Sequence, residues 1–442
     1  MSEMEWENLL SPKRFGAEDL LDQGEPGRSS FHRDCDRIIF SSSFRRLGKK
    51  TQVHPLALND HVHTRLTHSI EVASVGRSLG IRCGEEIQDK LPSGIHPTHV
   101  GQILQAACLS HDIGNPPFGH AGEEAIKSWF SHPSNAHILE GLSNRHQDDF
   151  KNFEGNAQGF RLLTRLEYNI NGGGMRLTYA TLASMLKYPW TSMEIKKIKK
   201  FCCFQSEIDF LDQIANEVKL IKDDDHLYKR HPLAFLAEAA DDICYRILDL
   251  EDAHEMKILS FHEIKEILEG LCKKNDHYKE IIDSNQVSNR RKLSFIRAKA
   301  IGQAIEGVIT SFVKNYDKIM NGVFKKDLIS ECDSQIRKPL NLAKEMAKEK
   351  VFNEPRKIEL EIGCYTAIGI LLDAFCSAVR EQVISGENIT YKSSRVLAMM
   401  GLNAPKKGDD LYQSFLKVTD YISGMTDNYA SHMAKQIGGM GN

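Results

Sequence analysis

Residues 109–126 read L-S-H-D-I-G-N-P-P-F-G-H-A-G-E-E-A-I. Helix-breakers fall here among ionisable groups, so the stretch sets where helices stop and which side chains they deliver together. Pro116 and Pro117 stop the preceding helix, and Gly114 and Gly119 permit a tight irregular path. His120 then sits at the start of a new helix, with Glu123 three residues on and able to face the same way. A histidine at a helix start, near a metal pair and oriented by a carboxylate, has the geometry of a general acid. Alone, the same stretch is equally an ordinary Gly/Pro loop followed by a helix.

Upstream, His111 ends a periodic pattern in line with Val100, Leu104 and Ala107, and Asp112 follows it directly. A His-Asp dipeptide means little by itself, since about one is expected by chance in a chain this rich in histidine. His68 begins another helical pattern, with Val72, Val75 and Leu79 on its face. Both imidazoles therefore lie on buried stripes. Downstream, residues 237–253 read A-E-A-A-D-D-I-C-Y-R-I-L-D-L-E-D-A. Phe235, Ala239, Ile243, Ile247 and Leu250 form one apolar line there; Glu238, Asp241, Tyr245, Asp249 and Asp252 form a second. Such a helix packs on a core and lines a cavity at once. Asp242 points about 100° away from Asp241.

Two imidazoles and two carboxylates, His68, His111, Asp112 and Asp241, suit a borderline or hard divalent ion that keeps positions open for water and phosphate. Singly, a histidine on an apolar face is most often a hydrogen-bonded core residue, and an acidic helix face is most often solvated. Their joint placement favours a metal site.

The predicted organisation is all-α. Residues 1–28 read as an irregular, partly ordered arm, 29–257 as the metal-bearing core, and 258–442 as a helical region packed on it. Asn171-Gly172-Gly173-Gly174 is the clearest turn, and the R-L-T-Y beside it allows at most a short β-hairpin near 171–180. Lysines 196, 197, 199 and 200 form a basic cluster that reads as a solvated helix face. The most apolar stretch, Ile362 to Val379, is interrupted by Asp373 and too polar to span a bilayer.

At 442 residues the chain exceeds the usual single-core size, which points to two packed helical lobes. A hydrophobic fraction of 41% and a net charge of −3 argue against disorder and against a global nucleic-acid-binding charge. The ten cysteines show no C-x-x-C pairing. With no signal peptide in evidence, they read as reduced thiols of a cytoplasmic protein.

Four strings go further: S-S-F-H-R-D-C-D-R-I-I-F-S-S-S-F-R-R-L-G-K-K-T-Q-V-H with H-T-R-L-T-H-S-I-E-V-A in the first 80 residues, H-D-I-G-N-P-P-F-G-H-A-G-E at 111–123, F-E-G-N-A-Q-G-F-R at 153–161, and A-E-A-A-D-D-I at 237–243. In this order they resemble the bacterial HD-domain deoxynucleoside triphosphate triphosphohydrolases, the dGTPase and dGTPase-like branch. The resemblance implies hydrolysis of a dNTP to deoxynucleoside and inorganic tripolyphosphate, with attack at the α-phosphorus. It implies that His68, His111, Asp112 and Asp241 hold one divalent ion (Mn, Mg, Co, Ni, Fe or Zn, with Mn or Mg favoured) and that His120 with Glu123 transfers protons. By the same match Arg65 contacts phosphate, Gln52 lies near the sugar, and Tyr245 and Asp249 lie at its 3′ side. It also implies a homo-oligomer, often a hexamer, with a dNTP activator or weak single-stranded DNA binding in some members. Of the basic run Arg45, Arg46, Lys49 and Lys50, none is assigned to the site. Two other classes stand beside this one: an HD phosphohydrolase acting on a nucleoside monophosphate or cyclic nucleotide, and a non-catalytic module that binds dNTP or single-stranded DNA.

Overall fold

Helices form almost throughout the computed structural model, which describes residues 3–17, 27–53, 61–167, 173–196 and 200–439. Those that place the site are α1 (Arg65–Glu86), α2 (Pro97–Ser110), α3 (His120–Ser131), α4 (Gly155–Arg161), α5 (Tyr179–Met185), α6 (Pro232–Glu255), α7 (Asn289–Lys314), α8 (Ser334–Met346), α9 (Pro355–Ser385), α10 (Leu411–Ser423) and α11 (Asp427–Ile437). The expected all-α class holds. Thr64 caps α1 in a reciprocal box with Thr67, and Pro97 opens α2 at a position whose missing N–H costs nothing. These two helices pack closely because small residues face each other. A Cβ on Gly80 would lie 2.7 Å from the Gly101 Cα.

Two apolar cores form. The first joins α1, α2, α5 and α6 with α7 and α8; the second joins α3 with α9, α10 and α11. Trp129 of α3 donates from Nε1 to Asp373 Oδ1 of α9 at 2.7 Å, which accounts for the acid inside that apolar helix. Helix α9 is long and apolar enough to cross a membrane by length and composition, yet half of its most apolar window is buried against other helices. The described part of the N-terminal arm enters the first core. Met4, Trp6, Leu9, Leu10 and Phe15 are buried there, and Arg14 pairs with buried Asp34 at 2.7 Å.

The expected hairpin near 171–180 does not form among the described residues. Gly173 and Gly174 do turn with positive φ, but Thr178 then caps α5 by accepting from Thr181 N, and its strand-like contact is an isolated bridge to Arg14. Asn171 and Gly172 lie outside the described residues. Threonine serves a strand and a helix cap equally well, and here the cap wins. The sheet found among the described residues is instead the antiparallel pair β1 (Lys222–Asp224) and β2 (Leu227–Tyr228), in a charged segment without apolar alternation.

Candidate active site

Four segments deliver ionisable groups to the seam between the two cores. His68, one turn into α1, is buried, and its Nε2 lies 3.1 Å from Asp241 Oδ1 of α6. His111 caps the end of α2 and uses Nδ1 on the Cys108 carbonyl at 2.7 Å, which directs Nε2 at the acids. That Nε2 is buried without a hydrogen-bond partner, 3.7 Å from Asp241 Oδ1 and 3.6 Å from Asp112 Oδ1. The ligand atoms of His68, His111 and Asp241 all lie within 4.8 Å of one another. An orphaned imidazole nitrogen facing two carboxylates is a donor set that fits a divalent ion.

Asp112 sits at the edge of this trio. One oxygen is bonded to the Arg65 guanidinium, and the other accepts from Asn115 Nδ2 at 2.5 Å. Burial alone would raise its pKa, but Arg65 and the two histidines hold it far below the usual carboxylate range. Asp241 behaves likewise: burial pushes it up, the His68 hydrogen bond and the His111 charge outweigh burial, and it settles at about 2. Asp242 pairs with Arg246 at 2.8 Å and borders the same cavity as Asp241.

His120 opens α3 after two left-handed residues, Phe118 at φ 64° and Gly119 at φ 60°. Gly119 is required there because a Cβ would strike Arg65 Nη2 at 2.3 Å. The His120 ring is 76% exposed, while its partner Glu123 is buried. Glu123 Oε2 meets His120 Nδ1 at 2.8 Å, and Oε1 accepts from Gly155 N at 2.7 Å. Burial opposes ionisation of Glu123, but the bond to His120 prevails and holds it low. The acid is thus fixed by α4 while the imidazole stays open to a ligand.

The remaining expected residues line one cavity of about 640 Å³, within the usual size of small-molecule sites. Gln52, Arg65, Asp112, His120, Asp241, Tyr245 and Asp249 all border it. Gln52 Oε1 is buried without a partner. Burial and then Asp242 raise Tyr245 to about 12; burial and then Asp252 push Asp249 well above the carboxylate range. A smaller cavity of about 160 Å³ continues past His111, His120 and Glu123 to Glu154, Asn156 and Lys200. Of the lysine cluster, Lys200 borders this cavity, 3.6 Å from Glu154, with its side chain still 41% exposed; Lys197 and Lys199 lie outside the described residues.

Sequence reasoning missed the opposite wall. Lys187 borders both cavities, and Lys344, Lys348, Phe352 and Lys357 close the larger one. Lys344, Lys348 and Phe352 recur every four residues, the one signal of a shared face, but that pattern also describes a solvated helix. Lys50, by contrast, is buried outside the cavity, and burial lowers it to about 7. Arg161 and Gln158 of the F-E-G-N-A-Q-G-F-R string turn to Asp420 of α10 instead of the cavity.

Residues 65–153 match the HD domain. A deoxyguanosinetriphosphate triphosphohydrolase-like protein of Pseudomonas aeruginosa (strain LESB58) is 47% identical over 442 residues, 99% of this chain and 99% of that one. The chain belongs to the deoxyguanosinetriphosphate triphosphohydrolase-like family. A protein of the same description from Synechocystis sp. is 39% identical over 455 residues, covering 99% of this chain and all of its own length. A Yersinia pestis (strain Pestoides F) protein named deoxyguanosinetriphosphate triphosphohydrolase is 29% identical over 480 residues, 90% of this chain and 92% of that one. The family makes this chain an HD hydrolase with a His/Asp site for a divalent metal.

Proposed function

We propose that this dGTPase-like protein hydrolyses deoxynucleoside triphosphates, dGTP or dNTPs generally, to deoxynucleoside and inorganic tripolyphosphate by attack of water at the α-phosphorus. The observation that carries the reading is that Asp112, Asp241 and His120 border the larger cavity with its lysine wall, while the adjoining smaller cavity brings in His111 and Glu123. His68, His111, Asp112 and Asp241 would hold the ion. When bound, it would supply Lewis acidity, lowering the pKa of a water and neutralising phosphate oxygens. Arg65 and the lysines of the opposite wall offer the positive charge that phosphoryl transfer requires, since such catalysis is mostly positioning and charge stabilisation. His120, oriented by Glu123, moves the proton at its exposed Nε2. Gln52, Tyr245 and Asp249 form the polar surface for the sugar.

Product analysis with Mn²⁺ and each dNTP, singly and mixed, tests this. Deoxynucleoside with intact tripolyphosphate supports it; orthophosphate or pyrophosphate refutes the bond assignment. Turnover only in mixtures would reveal an activator. On the same reading the protein is a cytoplasmic homo-oligomer, and light scattering gives its size; titration with a labelled oligonucleotide tests single-stranded DNA binding.

A further inference from the structure

Asp427, the first residue of α11, lies more than 300 positions from the H-D-I-G-N-P-P-F-G-H loop, yet it is buried against that loop. Its Oδ1 accepts from Phe118 N at 2.9 Å, and its Oδ2 accepts from Thr51 N at 2.9 Å. These two amides meet on one carboxylate, so the loop before His120 and the segment before Gln52 lie side by side at the larger cavity. Phe118 N begins the left-handed pair that aims His120; Thr51 N precedes Gln52, and all of these residues except Gly119 border the cavity. A non-glycine residue at φ 64° persists only where its surroundings over-determine it. Here the carboxylate supplies that determination. Lys50 adds a parallel tie, donating from Nζ to Asn115 O and to Ser423 O, each at 2.6 Å. Asn115 in turn holds Asp112.

We infer that Asp427 is a positioning residue for the reaction: one carboxylate from the C-terminal helix fixes the His120 loop and the Gln52 segment in register with each other at the cavity. This rests on the hydrolase reading above. Asp427 does not line the cavity and lies outside the His/Asp cluster, whose members come from α1, α6 and the end of α2. Asparagine cannot reproduce the bridge, because its amide nitrogen offers no acceptor to the second N–H.

The test compares Asp427→Asn and Asp427→Ala with Thr426→Ala, which removes the side-chain cap of the same helix and leaves both amides alone. All are assayed at a temperature where circular dichroism shows full folding. Both Asp427 variants should lose roughly 10- to 100-fold in kcat, the scale of a 1 Å misplacement, while Mn²⁺ affinity stays at the wild-type value. Thr426→Ala should keep kcat despite a lowered Tm. Equal kcat in the Asp427 variants and Thr426→Ala would overturn the inference, since a structural role alone moves Tm and not kcat. If the Asp427 variants do not fold, amide hydrogen exchange in the wild type decides. Core-like protection of the Thr51 and Phe118 amides supports the bridge, and loop-like exchange overturns it. A wild type without dNTP turnover would instead sink the hydrolase reading, and exchange would still judge the bridge.

Discussion

Replacing Gly114 by alanine should detach the carboxylate behind His120 without touching either residue. The added Cβ would sit 2.0 Å from Gly159 N, 2.3 Å from Gly155 O and 2.6 Å from Gly159 Cα. All three are backbone atoms of α4, so no side chain can swing aside. Restoring ordinary contact requires α4 to retreat by about 1.5 Å. The Gly155 N to Glu123 Oε1 bond, now 2.7 Å, would then stretch beyond hydrogen-bonding range. Overpacking costs about 1–3 kcal/mol. Losing a buried bond to a charged group adds roughly 1.5–3 kcal/mol. With unfolding entropy scaling at about 2.1 cal/mol/K per residue, the total lowers Tm by roughly 3–6 °C in a chain of this length. Turnover should fall further than stability accounts for, because Glu123 loses its second anchor. Differential scanning fluorimetry and steady-state kinetics below the transition measure both effects. A Gly114→Ala protein with wild-type Tm and kcat would refute the packing argument.

Three further outcomes follow from the site. His120→Gln should cut turnover by about 10²–10⁴ with Tm unchanged, because the ring is largely exposed and bonded only to Glu123 among described partners; unchanged turnover would remove His120 from proton transfer. Mn²⁺ at about 100 times its Kd should add roughly 2.7 kcal/mol of stability, and His111→Ala should lose most of that gain; a retained shift in a thermal scan would place the ion elsewhere. Lys50 has a folded pKa of about 7 against an ordinary 10.5, set first by burial and then by Arg46. The unfolded chain therefore binds more protons between these values, and this group's contribution to stability rises with pH across that window. Denaturant melts from pH 7 to 10 should show the rise in the wild type and not in Lys50→Met; parallel curves would contradict it.

The placement of the His/Asp cluster and of the His120-Glu123 pair was legible because their geometry is local. His111, Asp112, His120 and Glu123 fall within thirteen residues, and helical periodicity alone puts His68 and Asp241 on inward faces. The three-to-four-residue rhythm of 237–253 placed Asp241, Tyr245 and Asp249 correctly on the cavity, but Asp252 on the same line is buried against His63, and Asp242, off the line, borders the cavity as well. The cationic wall was not legible. Lys344 lies in α8 and Lys348 just past its end, both exposed in a mixed-charge stretch, and only tertiary placement decides that they border the cavity. The hairpin expectation failed because the turn residues were right while the threonine after them had a competing use as a cap.

Asp427 shows why no local pattern could have found the rest. Aspartate in the first turn of a helix is ordinary, and its sequence neighbours Thr426 and Asn428 carry no signal. Its role comes from two amides 309 and 376 positions away. The same holds for Asp420, which receives Arg161 at 2.9 Å and Gln158 at 2.8 Å from α4, the helix that anchors Glu123. Both acids leave α10 and α11 to grip the N-terminal half at the two elements that position His120 and Glu123. The His/Asp cluster lies on elements within residues 65–255, whereas the loop before His120 and the helix behind Glu123 are gripped by Asp427 and Asp420 from the C-terminal helices. Perturbing α10 or α11 should therefore separate the two functions, weakening turnover while metal binding survives.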